Sequence, residues 1–227
     1  MGTSKGYIPP TRIQWTNAKR AVTQMLNDHD SSTKAKAISR FSSAIKTDAI
    51  INSTFSTAAA GLLGLSKAIA GSGLENALNQ INRDYLIGKS SEEIWNDLLH
   101  EYTNNGSTAE DALAADALSK SLDNLKIQEL EQLGQVPQDV LLMEMLVNFI
   151  SINFEYRFSE KISKDRTPFE ASRIIREIQD YIRSNLYENL KLNDINTVDF
   201  LDITNSRYVD NALAEAYSIF EKLYTED

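Results

Sequence analysis

Hydrophobic side chains recur along this chain every three or four positions, which is the spacing of one face of an α-helix. The longest such stripe follows residue 167, and the alternation typical of a half-buried strand is nearly absent. Residues 197–203 are at most a short extended segment. Further helical stripes cover 13–26, 31–47, 53–73, 73–88 and the region near 207–224. The pattern predicts an all-α fold, a multi-helix bundle.

Three helix starts carry a recognisable signal. A Ser or Thr followed three residues later by Glu forms a capping box, in which the two side chains satisfy free backbone N–H groups at the helix start. This pattern occurs at 90–93, 107–110 and 167–170, and Pro168 adds the proline that often occupies the first helical position. We therefore expect helices to begin at these three places.

The most apolar run, 139–154, is interrupted by Glu144, Asn148 and Asn153. A membrane-spanning helix needs about 20 mostly apolar residues, so this run predicts a buried helix and no membrane contact. The first 20 residues also lack the apolar core of a secretory signal. Together these features predict a cytoplasmic protein.

Glycine and proline mark the internal organisation of the chain. The segment 134–138 separates a half rich in small residues from a half rich in long aliphatic and aromatic ones, and predicts a sub-boundary within a helical domain at 13–227. Gly61 and Gly64 are expected to permit close helix–helix approach, and Gly71 and Gly73 to end that helix. No phosphate-binding G-x-x-x-x-G-K-[ST] motif is present around them.

The opening residues, MGTSKGYIPP, cannot form a helix or a strand. Gly2 and Gly6 leave the backbone unrestricted, whereas Pro9 and Pro10 fix φ and remove N–H donors. We expect residues 1–12 to be an extended, irregular and flexible tail. Such a tail is either a disordered leader or a peptide that a partner holds.

Charge is distributed unevenly along the 227 residues. The net charge is −9, yet residues 1–47 carry eight basic and two acidic residues, so the remainder is strongly acidic. An acidic body disfavours nucleic-acid binding, because phosphate contacts dominate that affinity. The basic N-terminal region is expected mainly to be solvated or attracted to the acidic body.

Signals for catalysis or metal binding are weak. Cysteine is absent, and the two histidines, His29 in a polar loop and His100 at a helix end, have no companion ligands at helical spacing. The acidic pair Glu110 and Asp111 is explained by the positive end of a helix dipole. We expect no catalytic residues, no metal site and no enzymatic activity.

The glycine behind the initiator Met has a chemistry of its own. Removal of Met1 would expose the α-amine of Gly2, which no side chain hinders. A terminal amine is partly neutral near neutral pH, since such amines titrate at about pH 8. The simpler interpretation is that the Gly-Thr-Ser start is merely tolerated and stays unmodified. The residues alone favour this interpretation.

Several segments together resemble a known protein family. The start Met1 to Ser4 stands ahead of a proline-containing tail and an acidic helical body. The other similar segments are 58–73, 106–125, 172–186 and 206–223. In this combination the chain resembles the B component of the Qat bacterial anti-phage defence system.

The resemblance implies a non-enzymatic protein that works beside an ATPase, a nuclease-like component and a C component similar to the synthase of queuosine's deazaguanine precursor. Relatives of that synthase conjugate a deazaguanine to a partner's N-terminal glycine. By this likeness Gly2 would be the acceptor, and a 7-deazaguanine adduct there would be the only added group, with no other cofactor. Thr3 and Ser4 would lie in the enzyme's cleft. The extended arm would comprise Lys5, Gly6, Tyr7, Ile8, Pro9 and Pro10.

A different class of function stays open from the residues. The chain could be a helical adaptor whose basic arm binds nucleic acid or an acidic partner without being modified. The four basic residues of that arm are Lys5, Arg12, Lys19 and Arg20. A carboxylate-only hydrolase or transferase is disfavoured, because no acid pair stands out from ordinary helix-surface charge.

Overall fold

The computed structural model describes residues 13–28, 30–103, 106–202 and 205–224. Of the structure, 82% is helical and the described ranges contain no strand, which confirms the all-α prediction. Short 3₁₀ helices occupy Asp84–Leu86, Leu130–Gln135 and Ile195–Thr197. The α-helices are α1 (Ile13–Asp28), α2 (Ser31–Ile45), α3 (Ala49–Ser72), α4 (Leu74–Gln80), α5 (Ser91–Tyr102), α6 (Ala109–Asn124), α7 (Gln138–Ser163), α8 (Pro168–Asn189) and α9 (Ser206–Lys222).

Helix α7 lies at the centre of the bundle and packs against α1, α3, α6, α8 and α9. Its start follows Pro137, whose fixed φ suits a helix entry. The run 139–154 is buried within it, as predicted, and even the three polar residues that interrupt that run are buried. The buried side chains form one continuous cluster from Trp15 to Phe220.

Aromatic rings join the helices around α7. Phe41 of α2 meets Phe154 edge-on at 5.2 Å between ring centroids and Phe158 at 6.1 Å. Phe55 of α3 stacks on Phe149 at 4.0 Å. Edge-to-face and offset-stacked pairs of this kind each contribute roughly 1 kcal/mol beyond the burial of their area. They fix α2 and α3 on different faces of the central helix.

Helix α3 is the helix, among the described residues, that is long and apolar enough to cross a membrane by length and composition. Its 24 residues have a mean hydropathy of 1.2 in the most apolar window, and 61% of that window is buried inside the bundle. The core helix of a soluble protein meets the same criterion, so this is weak evidence for a membrane. The sequence pattern had pointed instead to 139–154 as the most apolar run.

Two of the three predicted capping boxes are confirmed, at Ser90 with Glu93 and at Thr167 with Glu170. The third prediction is wrong by one residue. Helix α6 is capped by Thr108, whose hydroxyl accepts the backbone N–H of Asp111 at 3.1 Å, while Asp111 accepts the N–H of Thr108. Ser107 instead donates its hydroxyl hydrogen to the Asp111 carboxylate. The N-cap residue is therefore Thr108 and not Ser107, and its capping-box partner is Asp111 and not Glu110.

The helix predicted for 73–88 is also shorter than expected. Helix α4 ends at Gln80, because Asn82 adopts a left-handed φ of 59° and the N–H of Arg83 turns back to the carbonyl of Leu78 at 2.8 Å. This is the hydrogen-bond pattern that ends many helices, with Asn in place of the usual glycine. The apolar positions beyond it belong to the turn and the 3₁₀ helix.

The α3 glycines allow close approach, but not of another helix backbone. A Cβ on Gly61 would lie 2.8 Å from the Tyr102 ring, and one on Gly64 would lie 2.9 Å from the Phe200 carbonyl oxygen, in the connection before α9. Gly71 lies inside α3 and does not end it. Gly73, with a φ of 81°, separates α3 from α4 and confirms the predicted stop.

Candidate functional site

The site residues predicted from the sequence, Gly2 to Pro10, lie outside the described residues. His29 and the extreme C-terminal residues 225–227 do so as well. The structure does describe Ile13, where α1 begins, and therefore the place from which residues 1–12 must start.

Trp15 holds the beginning of α1 against the centre of the bundle. Its ring is 2% exposed, and the Arg157 guanidinium of α7 lies over it at 4.3 Å from the ring centroid. Arg157 also donates to Asp48, the residue before α3, at 3.4 Å. A guanidinium on an indole face is the strongest form of cation–π contact, and a partly desolvated one contributes about 1 to 2 kcal/mol. The beginning of α1 is thus anchored beside the start of α3.

One face of α3 is left open as a cleft of about 570 Å³. Its residues recur at helical spacing and are small or hydroxylated, so the backbone of the helix lies close to the cleft floor. They are Ser53, Thr54, Thr57, Ala60 and Gly61. This face is opposite to Phe55, which points into the core against α7.

The walls of the cleft come from three distant parts of the chain. The end of α4 and the following turn supply Gln80, Ile81 and Asn82, and the end of α5 supplies Glu101 and Tyr102. Phe200 and Leu201 supply the third wall, ahead of α9. Amide and hydroxyl groups therefore alternate with aromatic and aliphatic surface, which is the composition of a binding cleft rather than of a packing defect.

The cleft continues along α3 toward its C-terminal end. A second hollow of about 330 Å³ shares Gln80, Phe200 and Leu201 with the first. Its floor is again α3, with small residues and one lysine, at Gly64, Lys67, Ala68, Gly71 and Ser72. The two hollows together form an elongated groove, referred to below as the α3 groove.

Charges around the α3 groove are mostly engaged. Glu101 receives the Arg83 side chain, whose Nε donates at 2.7 Å. Lys67 donates to the carbonyls of Asn196 and Val198 at 3.0 and 2.8 Å. Burial raises the pKa of the Tyr102 hydroxyl, so this wall stays neutral at physiological pH. Among the described residues that line the groove, the charged ones are Glu101, Asp199 and Lys67, and Glu101 is neutralised by Arg83.

A basic cleft of about 310 Å³ lies between α1 and α2. It is lined by Arg20, Lys36 and Arg40 together with polar residues. Two other basic residues of α2 and its end are used within the molecule. Lys34 pairs with Glu177 at 3.2 Å, and Lys46 pairs with Glu221 at 3.1 Å. The expected attraction between the basic N-terminal region and the acidic body is thus present at both lysines.

A buried polar network centres on Glu144 of α7. Arg183 of α8 binds both carboxylate oxygens, and the Tyr187 hydroxyl donates to one of them. Asn124 of α6 donates to Glu144 and to Asn148. Desolvation raises the carboxyl pKa, but the bonds from Arg183 and Tyr187 outweigh it and hold the pKa of Glu144 below its ordinary value. Saturated in this way, the carboxylate is held as an anion and ties three helices together.

Candidate metal ligands are not brought together in the part of the chain that the structure describes. No group of three His, Cys, Asp or Glu side chains there could hold a metal ion. His100 lies exposed in the last turn of α5, where a histidine suits the negative end of the helix dipole. Glu110 and Asp111 occupy the first turn of α6.

The sequence patterns missed most of the α3 groove. The small-residue face of α3 was recognised, but it was interpreted as a contact between helices. The walls at 80–82, 101–102 and 199–201 carry no motif, and helical periodicity cannot show which of them meets α3. Only the helix-breaking Asn82 and the polar 199–205 segment could have hinted at irregular backbone there.

The fold and these surfaces define a class of protein: an all-helical protein in which the beginning of α1 is anchored to the core and one face of α3 forms an open groove. Comparison with protein families makes the assignment specific. The model of the Qat anti-phage system associated protein QatB matches residues 46–220. Because this is about three quarters of the chain, the protein belongs to the QatB family and is a component of an anti-phage defence system. The resemblance inferred from the sequence is thereby confirmed.

The matched range has informative limits. It contains the α3 groove and the Glu144 network, and it leaves out residues 1–12, α1 and all of α2. The family match therefore rests on the helical body and not on the Met-Gly-Thr-Ser start. No curated protein and no solved structure matched the chain.

Proposed function

We propose that this protein is a non-enzymatic, cytoplasmic subunit of the Qat defence complex that presents its own N-terminus to a partner enzyme. The partner is the queuosine-synthase-like C component, into whose cleft residues 2–10 dock. After loss of Met1, the α-amine of Gly2 attacks an activated carboxyl group carried by a 7-deazaguanine; an amide bond forms, the activating group leaves that carbonyl carbon, and the amine loses a proton to solvent. The ATPase and the nuclease-like component assemble with the same subunit.

Family membership supports the place of this protein in the Qat system, and the anchored start of α1 supports presentation of the tail. Because Trp15 is held by Arg157, the tail begins at a defined place on a rigid bundle. Presenting a short peptide from a rigid body reduces the number of arrangements that the enzyme must sample before docking. Glycine at the acceptor position leaves the amine unhindered, and the two prolines favour an extended approach.

Intact mass spectrometry tests this proposal directly. The chain is purified after co-expression with the C component, and loss of Met1 together with a deazaguanine-sized mass increase on Gly2 is the expected result. The variant Gly2→Ala still exposes a free α-amine, so it separates a need for glycine from a need for any amine. Gly6→Ala is the matched control, because it adds the same methyl group four residues further on.

The outcomes are distinct. Modification of the natural chain and of Gly6→Ala, with at most trace modification of Gly2→Ala, supports a glycine acceptor. A tail that stays unmodified or becomes acetylated while the C component is active contradicts the proposal. Modification of an internal lysine would contradict it as well.

The basic cleft between α1 and α2 favours a second candidate function, an adaptor that binds a polyanion. Arg20, Lys36 and Arg40 face one hollow, which would suit phosphates or an acidic peptide. Binding of duplex DNA or RNA that weakens steeply with salt and is lost in an Arg20→Gln, Lys36→Gln double variant would support it. Lys34→Gln is the control, since Lys34 is already paired with Glu177.

A further inference from the structure

We propose that the α3 groove is a docking site for residues 1–12 of the same chain. The N-terminal segment would lie along the exposed face of α3, with Gly2 held at the helical body until a partner draws it out. This proposal goes beyond covalent modification and does not require it. It identifies the occupant of the groove as the N-terminal peptide of the same chain.

The place where the tail starts is the first reason. Trp15 near the start of α1 contacts Arg157, and Arg157 contacts Asp48, the residue directly before α3. Arg157 therefore links the start of α1 to the start of the helix that forms the groove floor. Ile13 is 64% exposed and Ile50, in the first turn of α3, is 71% exposed. Ile50 shares the helical face of Thr54, Thr57 and Gly61, which continues into the groove.

Reach is the second reason. Twelve extended residues span at most about 40 Å, at roughly 3.3 to 3.6 Å per residue. The open face of α3 from Ile50 to Gly71 is about 30 Å long, at 1.5 Å per residue. The tail can therefore pass around the start of α3 and still place several residues in the first hollow. The hollow at Ser53 to Gly61 is the part of the groove nearer the start of α3, so it is the part that the tail meets first.

Chemical fit is the third reason. The groove floor is small and its walls carry hydroxyl and amide groups, which can pair with the backbone of an extended peptide. The tail sequence supplies small residues at 2–4 and 6, and apolar anchors at Tyr7 and Ile8. Leu201 in the wall is 48% exposed and would be covered by such an anchor.

Charge complementarity is the fourth reason. The segment 1–12 carries Lys5, Arg12 and the terminal amine, with no acidic residue. The groove lining carries Glu101, which is paired with Arg83, together with Asp199 and Lys67. Asp199, whose carboxylate accepts the Leu201 N–H at 3.1 Å, is therefore the lining acid with which a basic side chain of the peptide can pair.

Disulfide trapping in the purified full chain tests the proposal. The natural chain has no cysteine, so an introduced pair is the only pair of thiols. Ser4→Cys is combined with Thr57→Cys, which is exposed on the groove floor, and oxidised under mild conditions. The control combines Ser4→Cys with Glu160→Cys, an exposed position one turn beyond Arg157 on α7 and close to the tail's start.

If the tail is docked, the disulfide between positions 4 and 57 should form at least about tenfold faster than the disulfide between positions 4 and 160. Binding raises the local concentration of the tail thiol beside position 57. The rate should not change on dilution, and Lys5→Glu or Thr54→Lys should lower it toward the control. Equal rates for the two pairs would overturn the proposal. A preference for Thr57 that disappears on dilution would assign the groove to the tail of a second copy and would also overturn it.

This experiment is independent of the modification. It uses protein made without the other Qat components, so Gly2 carries no adduct. A negative trapping result leaves the mass-spectrometric outcome unaffected, and an unmodified Gly2 in the complex leaves the trapping result unaffected.

Discussion

The guanidinium of Arg183 engages both carboxylate oxygens of Glu144 across the interface between α8 and α7. The Glu144 side chain is 5% exposed, whereas that of Arg183 is 39% exposed. The carboxylate is thus the buried member of the pair, and Tyr187 and Asn124 satisfy its remaining acceptor positions. A buried anion with this many partners is costly to leave half-paired.

We expect Glu144→Gln to lower the free energy of unfolding by about 2 kcal/mol, since removal of one partner from a buried pair is strongly destabilising and the exposed side of Arg183 moderates the loss. Glu177→Gln is the matched control, because it removes the same charge from an exposed ion pair with Lys34 and should cost less than about 1 kcal/mol. Urea titrations at neutral pH measure both. Equal losses would show that the network contributes no more than surface charge.

The same carboxylate makes a specific contribution to acid sensitivity. The pKa of Glu144 is held below its ordinary value of 4.5 in the folded protein, so its stabilising contribution is complete above that value and disappears as pH falls through the folded pKa. The difference in unfolding free energy between the natural chain and Glu144→Gln should therefore shrink from pH 6 toward about pH 3. A difference that stays constant over this range would contradict the ionised assignment.

The fold was largely predictable from local patterns, and the site was not. The stripe after residue 167 predicts α8 because side chains three and four residues apart share one face, whatever they pack against. The α3 groove depends on Tyr102 and Phe200 meeting Gly61 and Gly64 across long stretches of chain, and no local rule contains that information. Where local rules competed, as between Ser107 and Thr108, the prediction missed by one residue.

Two glycines on the same helix should respond oppositely to alanine. At Gly64 the new methyl group would lie 2.9 Å from the Phe200 carbonyl oxygen, so Gly64→Ala must displace the 199–201 backbone. We expect a loss of about 1 to 3 kcal/mol, the usual cost of overpacking. Gly71 has no atom within 4 Å of that position, and Gly71→Ala should stabilise by about 0.5 to 1 kcal/mol through helix propensity. Thermal unfolding of both variants measures the contrast, and a stable Gly64→Ala would contradict the close approach.

The cap of α6 provides a last test in which adjacent residues are compared. Thr108 accepts the Asp111 N–H, whereas Ser107 donates only a side-chain bond to the same aspartate. Thr108→Ala should lower the free energy of unfolding by about 1 kcal/mol, the typical cost of losing an N-cap. Ser107→Ala should cost distinctly less, because the backbone donors at the helix start remain satisfied by Thr108. Denaturant titrations of the two variants under one set of conditions measure the difference. If Ser107→Ala lowers the free energy of unfolding more than Thr108→Ala does, Ser107 is the N-cap, as the capping-box pattern predicted.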